Sequence, residues 1–189
     1  MKLFASLISA LVLAGPLAAR ADSYTIDGRH TFPVFEVDHY GFSTQRGRFG
    51  KVTGKLELDL ERQEGSVDIT IDANSIDMGL DEWNKQMRTE RFFNTEQHPT
   101  LRFVARQFHA EVDKPGEIRG ELTLLGVTRP IVLAVTRMHC AKHPMLPRQL
   151  CGANLQTTIR RSEFGMTYGV PGMSDEIRIV IPVEAIKDS

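Results

Sequence analysis

Two cysteines, six histidines and a scatter of carboxylates are the residues of this chain whose types could do chemistry. Cys140 and Cys151 bracket residues 141–150, a stretch holding Pro144 and Pro147 that reads as a loop. They lack the Cys-x-x-Cys spacing of a thiol–disulfide oxidoreductase. Either they form a cystine closing that loop, which would contribute roughly 2–3 kcal/mol by restricting the unfolded chain, or they are two free thiols on neighbouring strands. His30, His39, His98, His109, His139 and His143 include no H-E-x-x-H pair. His139 and His143 are four apart, but Cys140 and Pro144 place them in a loop and not on one helix face, so no metal site is expected. There is no G-x-S-x-G elbow and no phosphate-cradling glycine loop. The acids fall mainly on alternate positions of strand-like runs, where a charged face is solvated surface. No catalytic residue is expected, and the chain reads as a non-enzyme.

The elements that would position any site are strands. Phe35, Val37 and His39 alternate with Glu36 and Asp38; Leu56, Leu58 and Leu60 with Glu57 and Asp59; Val67, Ile69 and Ile71 with Asp68 and Thr70. The same period of two runs through Leu101–Phe103–Ala105, Leu122–Leu124, Ile131–Leu133–Val135, Leu155–Thr157–Ile159 and Ile177–Ile179–Ile181–Val183. Apolar residues on one face and polar ones on the other mark half-buried antiparallel strands. Turns are expected at Glu64-Gly65, at Lys114-Pro115-Gly116-Glu117 and over residues 126–130. One segment, residues 77–90, carries Leu80, Trp83 and Met87 at helical spacing with Asp81 and Glu82 near its start. The expected fold is all-β, an antiparallel eight-stranded barrel with one short helix, because closure removes exposed sheet edges.

Residues 1–21 read as a secretory signal peptide: Lys2, an apolar run too short to span a bilayer, then Ala19-Arg20-Ala21 as a cleavage site. The remainder, residues 22–189, is expected to be one domain. Export would place the cysteines in an oxidising compartment, which favours the cystine. The formal net charge is −1, and the leader carries Lys2 and Arg20 but no acid, so its loss leaves the rest slightly more acidic. No basic stripe suited to nucleic acid is present, and no later apolar run is long enough for a transmembrane helix. Val104, Val132 and Val180 fall at outward strand positions and offer a face for a homodimer.

An eight-stranded barrel is just wide enough to fill itself with side chains or to hold one small ligand. Ten phenylalanines stand against three tyrosines and one tryptophan. The candidate lining residues are Phe35, Val37, His39, Phe42, Phe49, Leu58, Ile69, Trp83, Met87, Phe92, Phe93, Phe103, Leu122, Leu124, Leu133, Arg161, Phe164 and Met166. His39, at a strand end, could hydrogen-bond a ligand headgroup or a partner within the core. The same set would pack equally well into a core without a tunnel.

Several short motifs recur in a fixed order: His30-Thr31, then Phe35, Val37, His39 and Gly41; Gly47-Arg48-Phe49; Ala73-Asn74-Ser75-Ile76-Asp77; Phe92-Phe93-Asn94; His98-Pro99-Thr100; Gly120-Glu121-Leu122-Thr123 before Gly126-Val127-Thr128; and Arg161-Ser162-Glu163-Phe164-Gly165. Over residues 24–187 this set resembles the YceI-like family of polyisoprenoid-binding proteins. The resemblance implies a lipocalin-like barrel in the bacterial periplasm and a tunnel holding a polyisoprenoid lipid. It implies no other cofactor and no catalytic residue, and a link to stress responses or isoprenoid-quinone handling. Its competitor is a stress-induced interaction protein whose barrel is filled by its own side chains. Two departures stand out. Thr31 replaces a serine, and Asp81 to Arg88 replaces the family's Arg-Asp and His-Leu pairs. Arg161, His39 and Arg88 are the groups that could meet a polar headgroup.

Overall fold

The computed structural model describes residues 21–189; the expected signal peptide therefore lies, but for Ala21, outside the described residues. Eleven strands follow in chain order: β1 (Asp22–Ile26), β2 (Val34–His39), β3 (Ser43–Phe49), β4 (Val52–Asp59), β5 (Glu64–Asp72), β6 (Ile76–Asp77), β7 (Thr100–His109), β8 (Gly116–Leu124), β9 (Val127–Lys142), β10 (Gln149–Arg160) and β11 (Glu176–Lys187). One α-helix, α1 (Asp81–Met87), falls inside the segment expected to be helical. Eight strands close an antiparallel barrel in the order β1-β4-β5-β7-β8-β9-β10-β11, with β11 returning to β1. The barrel has a helix end, covered by α1, and a cystine end, where the β4–β5, β7–β8 and β9–β10 connections lie.

Closure depends on β11, which carries three partners. One side pairs with β10 along its length. On the other side Ala185, Ile186 and Lys187 pair with β1, while Arg178, Ile179 and Val180 pair with β2. Between those ladders the chain leaves the sheet over residues 27–33, and side chains stand in for the missing strand. The Thr31 hydroxyl donates to the Glu184 carbonyl (3.3 Å) and accepts from the Glu184 N–H (3.0 Å). Thr31 is accordingly buried although polar. Pro182, which has no N–H to satisfy, lies in the same gap.

The eight-strand count is correct, but its membership differs from expectation. The Phe35–His39 strand is β2, which branches from the ring and continues through β3 to β6. Its place is taken by β1, too short to show an alternation. The sequence pattern also passes over β3 and β6. In β3 the inward positions are Gln45, Gly47 and Phe49, hardly an apolar face. Gly47 leaves room for both the Phe35 ring and the Met78 sulfur: a Cβ would lie 2.4 Å from each and would force those side chains to shift. The turns shift too. Glu64-Gly65 belongs to β5, and the hairpin bends over residues 60–63, where Gln63 has φ +59°. The β7–β8 loop spans residues 110–115. The β8–β9 turn is only Leu125-Gly126, both at positive φ as a two-residue hairpin turn requires, and Val127 to Pro130 already belong to β9.

Cys140 and Cys151 face each other in the β9–β10 register and are bonded, with Cα atoms 4.1 Å apart. The loop they close is shorter than expected, residues 143–148, because both strands run past the cysteines. Outside, charged strand faces meet as cross-strand ion pairs. Arg102 grips Asp68 with two bonds of 2.8 and 2.5 Å. Hydrogen bonds from Arg178 on β11 and Arg46 on β3 hold the Glu36 carboxyl of β2 below its ordinary range. At the ring closure, Asp188 accepts from Lys55 Nζ (2.7 Å), Thr25 Oγ1 (2.6 Å) and Ser23 Oγ (2.9 Å), which pulls its pKa down to about 2.

Two outcomes follow. Replacing both cysteines by alanine should lower unfolding stability in urea by about 3 kcal/mol, the loop-closure entropy for a ring of this size. Asp188→Asn should destabilise at pH 7. A depressed carboxylate pKa contributes stability above the unfolded value of about 3.9 and loses it as pH falls toward the folded value. The gap in Tm between wild type and Asp188→Asn should therefore stay constant from pH 8 to 5 and close as pH approaches 2; a gap constant down to pH 2 would contradict the assignment.

Candidate functional site

The inward side chains do not meet along the axis. They surround a cavity of about 490 Å³ whose lining reaches from Trp83 and Met87 at the helix end to His109, Glu111 and Lys114 at the cystine end. Every ring strand contributes to its wall, as do β2, β3 and the segment after α1. Its middle is aliphatic: Leu58, Ile69, Leu122, Leu124, Leu133 and Ile177, Ile179 and Ile181 of β11. Alternation on antiparallel strands places these groups inside, with the ion pairs outside.

Three phenylalanines close the wall beneath α1. Phe49 and Phe93 pack edge to face at 5.2 Å, and Phe35 lies 6.0 and 6.1 Å from each. Such tilted contacts suit the aromatic quadrupole. Phe92 packs against Tyr168 at 5.4 Å, and the Arg91 guanidinium lies over that Tyr168 ring. α1 is held lightly. Its N-cap, Leu80, offers no side-chain acceptor, and none of its residues is fully buried. Asn84 Oδ1 instead accepts from the Met78 N–H at 2.6 Å.

Of the eighteen candidate lining residues, sixteen border the cavity. Phe42 and Phe164 do not. Phe42 sits in the β2–β3 turn and is 89% exposed; the turn at Tyr40 and Gly41, both at positive φ, ends the alternation that suggested an inward position. Phe164 is 1% exposed but lies on a 3-10 turn (Arg161–Phe164), facing a separate cleft between β9 and β10. His39 does line the helix end, stacked edge to face on Tyr40 at 4.8 Å.

Arg161 borders the cavity but is not free to meet a headgroup. Its guanidinium donates to the carbonyls of Ser174 (2.9 Å), Met166 (3.2 Å), Tyr168 (2.8 Å) and Met173 (3.1 Å). Burial pushes its pKa down, opposed by the nearby Asp175 carboxylate. Asp175 in turn accepts from the Ser162 N–H and hydroxyl, each at 2.8 Å, and from Arg160. Arg161 thus braces the loop of residues 165–175 that roofs the helix end. Arg88 is absent from the cavity wall; its Nε is buried without a hydrogen-bond partner.

The polar groups that do face the cavity are few. Gln45, Gln86, His39, Tyr40 and Tyr168 stand at the helix end, Thr31 and Thr157 in the wall, and at the cystine end His109 accompanies Lys114, which is already paired with Glu111. Outside the barrel, Asp27, His30 and Glu184 bring three potential metal-ligand atoms within 4.8 Å of one another. Those groups already satisfy each other: His30 Nδ1 lies 2.8 Å from Asp27, and Asp27 also takes the Arg29 side chain. Sequence reasoning missed Phe108 and Met138 as lining residues, because bulges reverse the alternation before each. Two residues of β7, Arg106 and Gln107, oppose the single residue Ser66 of β5, and Thr136 is skipped opposite β10.

The YceI-like domain matches residues 24–185. The chain belongs to the YceI-like family. Two curated members, the UPF0312 proteins of Ectopseudomonas mendocina and Pectobacterium carotovorum, are each 31% identical to it, over 95% of this chain and 97% and 93% of theirs. Among solved structures, the YCEI protein of Campylobacter jejuni superposes with a TM-score of 0.72 (24% identity, 80% of this chain, 90% of that one). BcnA of Burkholderia cenocepacia gives 0.70 (21%, 84% and 98%). A polyisoprenoid binding domain from Saccharophagus degradans gives 0.65 (17%, 87% and 98%). These solved structures share the barrel fold. Among the described residues no helix is long and apolar enough to cross a membrane.

Arg161→Met should leave four loop carbonyls without their donor, that of Met166 fully buried and the other three part-buried, and destabilise the protein by about 2 kcal/mol or more. Arg161→Lys, a point donor without the planar fork, should recover only part of that. Equal stability of all three proteins in urea would show that the brace is not structural.

Proposed function

We propose that this YceI-like protein is a periplasmic carrier that holds one polyisoprenoid chain inside its barrel and performs no chemistry on it. The observation that carries this reading is the 490 Å³ cavity with an almost wholly apolar wall. Its size is ordinary for a small-molecule site. It is about three times the engineered cavity that holds one benzene, which scales to about twenty carbons, or four isoprene units. At about 0.8 kcal/mol per methylene, such a chain gains on the order of 16 kcal/mol before ordering costs. No charged anchor is needed to hold it. The reading is supported by the family membership and by the neighbour from Saccharophagus degradans described as a polyisoprenoid binding domain. A periplasmic site agrees with the Cys140–Cys151 cystine and with the leader-like residues 1–21. A barrel filled by its own side chains, the competing expectation, does not account for the cavity.

Protein purified from its native compartment and extracted with organic solvent should yield a prenyl lipid near one per chain by mass spectrometry. Val135→Trp, which adds an indole to the mid-barrel wall, should fold but shift the extracted lipid to shorter chains and weaken binding of a long prenol at least tenfold. A native extract free of prenyl lipid, together with no uptake of added prenol, would overturn the carrier reading.

A further inference from the structure

The barrel wall is not hydrogen-bonded all the way round at the helix end. The β9–β10 ladder runs from Gln149–Lys142 to Gln156–Ala134 and stops. Beyond it, residues 127–133 of β9 pair only with β8, and residues 157–160 of β10 pair only with β11. The two strand edges diverge around a cleft of about 810 Å³. Ile131, Thr157 and Ile159 line this cleft and also line the central cavity. At this place the wall between solvent and tunnel is three side chains and not a ladder of backbone bonds. Across its lower edge Arg129 Nε donates to the Glu163 carbonyl at 3.3 Å.

Sequence features keep the seam from zipping shut. Pro130 lies in the half of β9 that pairs with β8 but not β10, and it has no N–H to donate to a ladder. The bulge that skips Thr136 bends β9 where the pairing ends, and Thr136 Oγ1 bonds the Asn154 carbonyl there at 3.1 Å. Below the bulge the cystine at Cys140–Cys151 fixes the paired half. Arg160 on the β10 edge is held outward by Asp175 at 3.1 Å. A proline and flanking charges are the usual protection of an edge against another strand, so an extended peptide is a poor occupant. A hydrocarbon chain needs no backbone partners and requires only that Ile131, Thr157 and Ile159 move aside.

The geometry points to the β9–β10 seam as a lateral portal through which a polyisoprenoid chain slips sideways between the central cavity and its surroundings, instead of threading lengthwise past α1. This rests on the carrier reading. It assigns the cleft to passage of an apolar chain, with Arg119, Arg129 and Arg160 remaining at its solvent face.

Cross-linking tests it. Val132 and Thr158 are cleft residues on opposite edges, both exposed. The chain has no free thiol, so Val132→Cys/Thr158→Cys can be loaded with a fluorophore-tagged prenol of about four isoprene units and then linked with a short bismaleimide. Release into phosphatidylcholine vesicles is followed before and after linking, so the unlinked protein controls for folding. Linking should slow release at least tenfold without changing the amount of bound prenol. Equal release rates before and after linking, with normal loading, would overturn the portal alone. No loading of the wild-type chain would overturn the carrier reading and the portal with it.

Discussion

The structure depends on one strand serving three partners. β11 closes the ring against β1 near its end and supports β2 near its start, while β10 runs along its other side. A single strand cannot satisfy two neighbours on one side without a break between them. Thr31 supplies the bonds at the break by pairing its hydroxyl with both backbone groups of Glu184. A serine could make the same two bonds. The threonine methyl adds apolar surface at a site where the residue is 2% exposed, consistent with the stiffer χ1 of a β-branched side chain fixing the hydroxyl. With the break supported, β2 and β3 flare from the ring and carry Phe35 and Phe49 to the wall beneath α1.

Electrostatics and apolar contact are kept on opposite sides of that wall. Asp68, Glu36, Asp72 and Asp188 are all held below their ordinary pKa by outward partners. Arg161, which borders the cavity, spends its donors on backbone carbonyls. A ligand therefore meets dispersion and apolar area, with amides and an imidazole at the helix end and His109 and the Lys114–Glu111 pair at the cystine end. Selectivity in such a site comes from length and width, because the charges that border it, Arg161, Glu111 and Lys114, are already partnered and do not select among hydrocarbons.

How far the sequence foretells this follows from where period two holds. Leu56–Leu58 and Val67–Ile71 alternate cleanly, Ile177–Val183 does so except at Val180 and Pro182, and each lies on a ring strand facing the cavity. The pattern fails in three physical situations. A five-residue strand such as β1 contains too few periods to register. A strand whose neighbour's ring lies over it, as Phe35 lies over Gly47 of β3, shows glycine where an apolar residue would be expected. A bulge changes parity, so Phe108 and Met138 look outward from the sequence and point inward in the fold. Phe42 errs the other way: an aromatic next to a strand is counted as its continuation when the chain has already turned. Arg161 was legible as a special residue but not in its role, because its four partners lie on a loop with no periodic signal.

A cavity of this size also bears on why the wall is built as it is. On the scale found for engineered cavities, leaving 490 Å³ without packing forgoes on the order of 12 kcal/mol, comparable with the whole stability of a domain. Water would recover little of this, since it needs polar partners that an aliphatic wall does not offer. Collapse of the barrel onto itself is the obvious alternative, and the structure opposes it by means independent of the contents: the β11 closure, the Asp188 cluster, the cystine, and bulges that fix strand curvature. A frame that resists collapse around an apolar interior gains most when a hydrocarbon of matching volume is inside, so the same packing deficit that would burden a core becomes the driving force for binding.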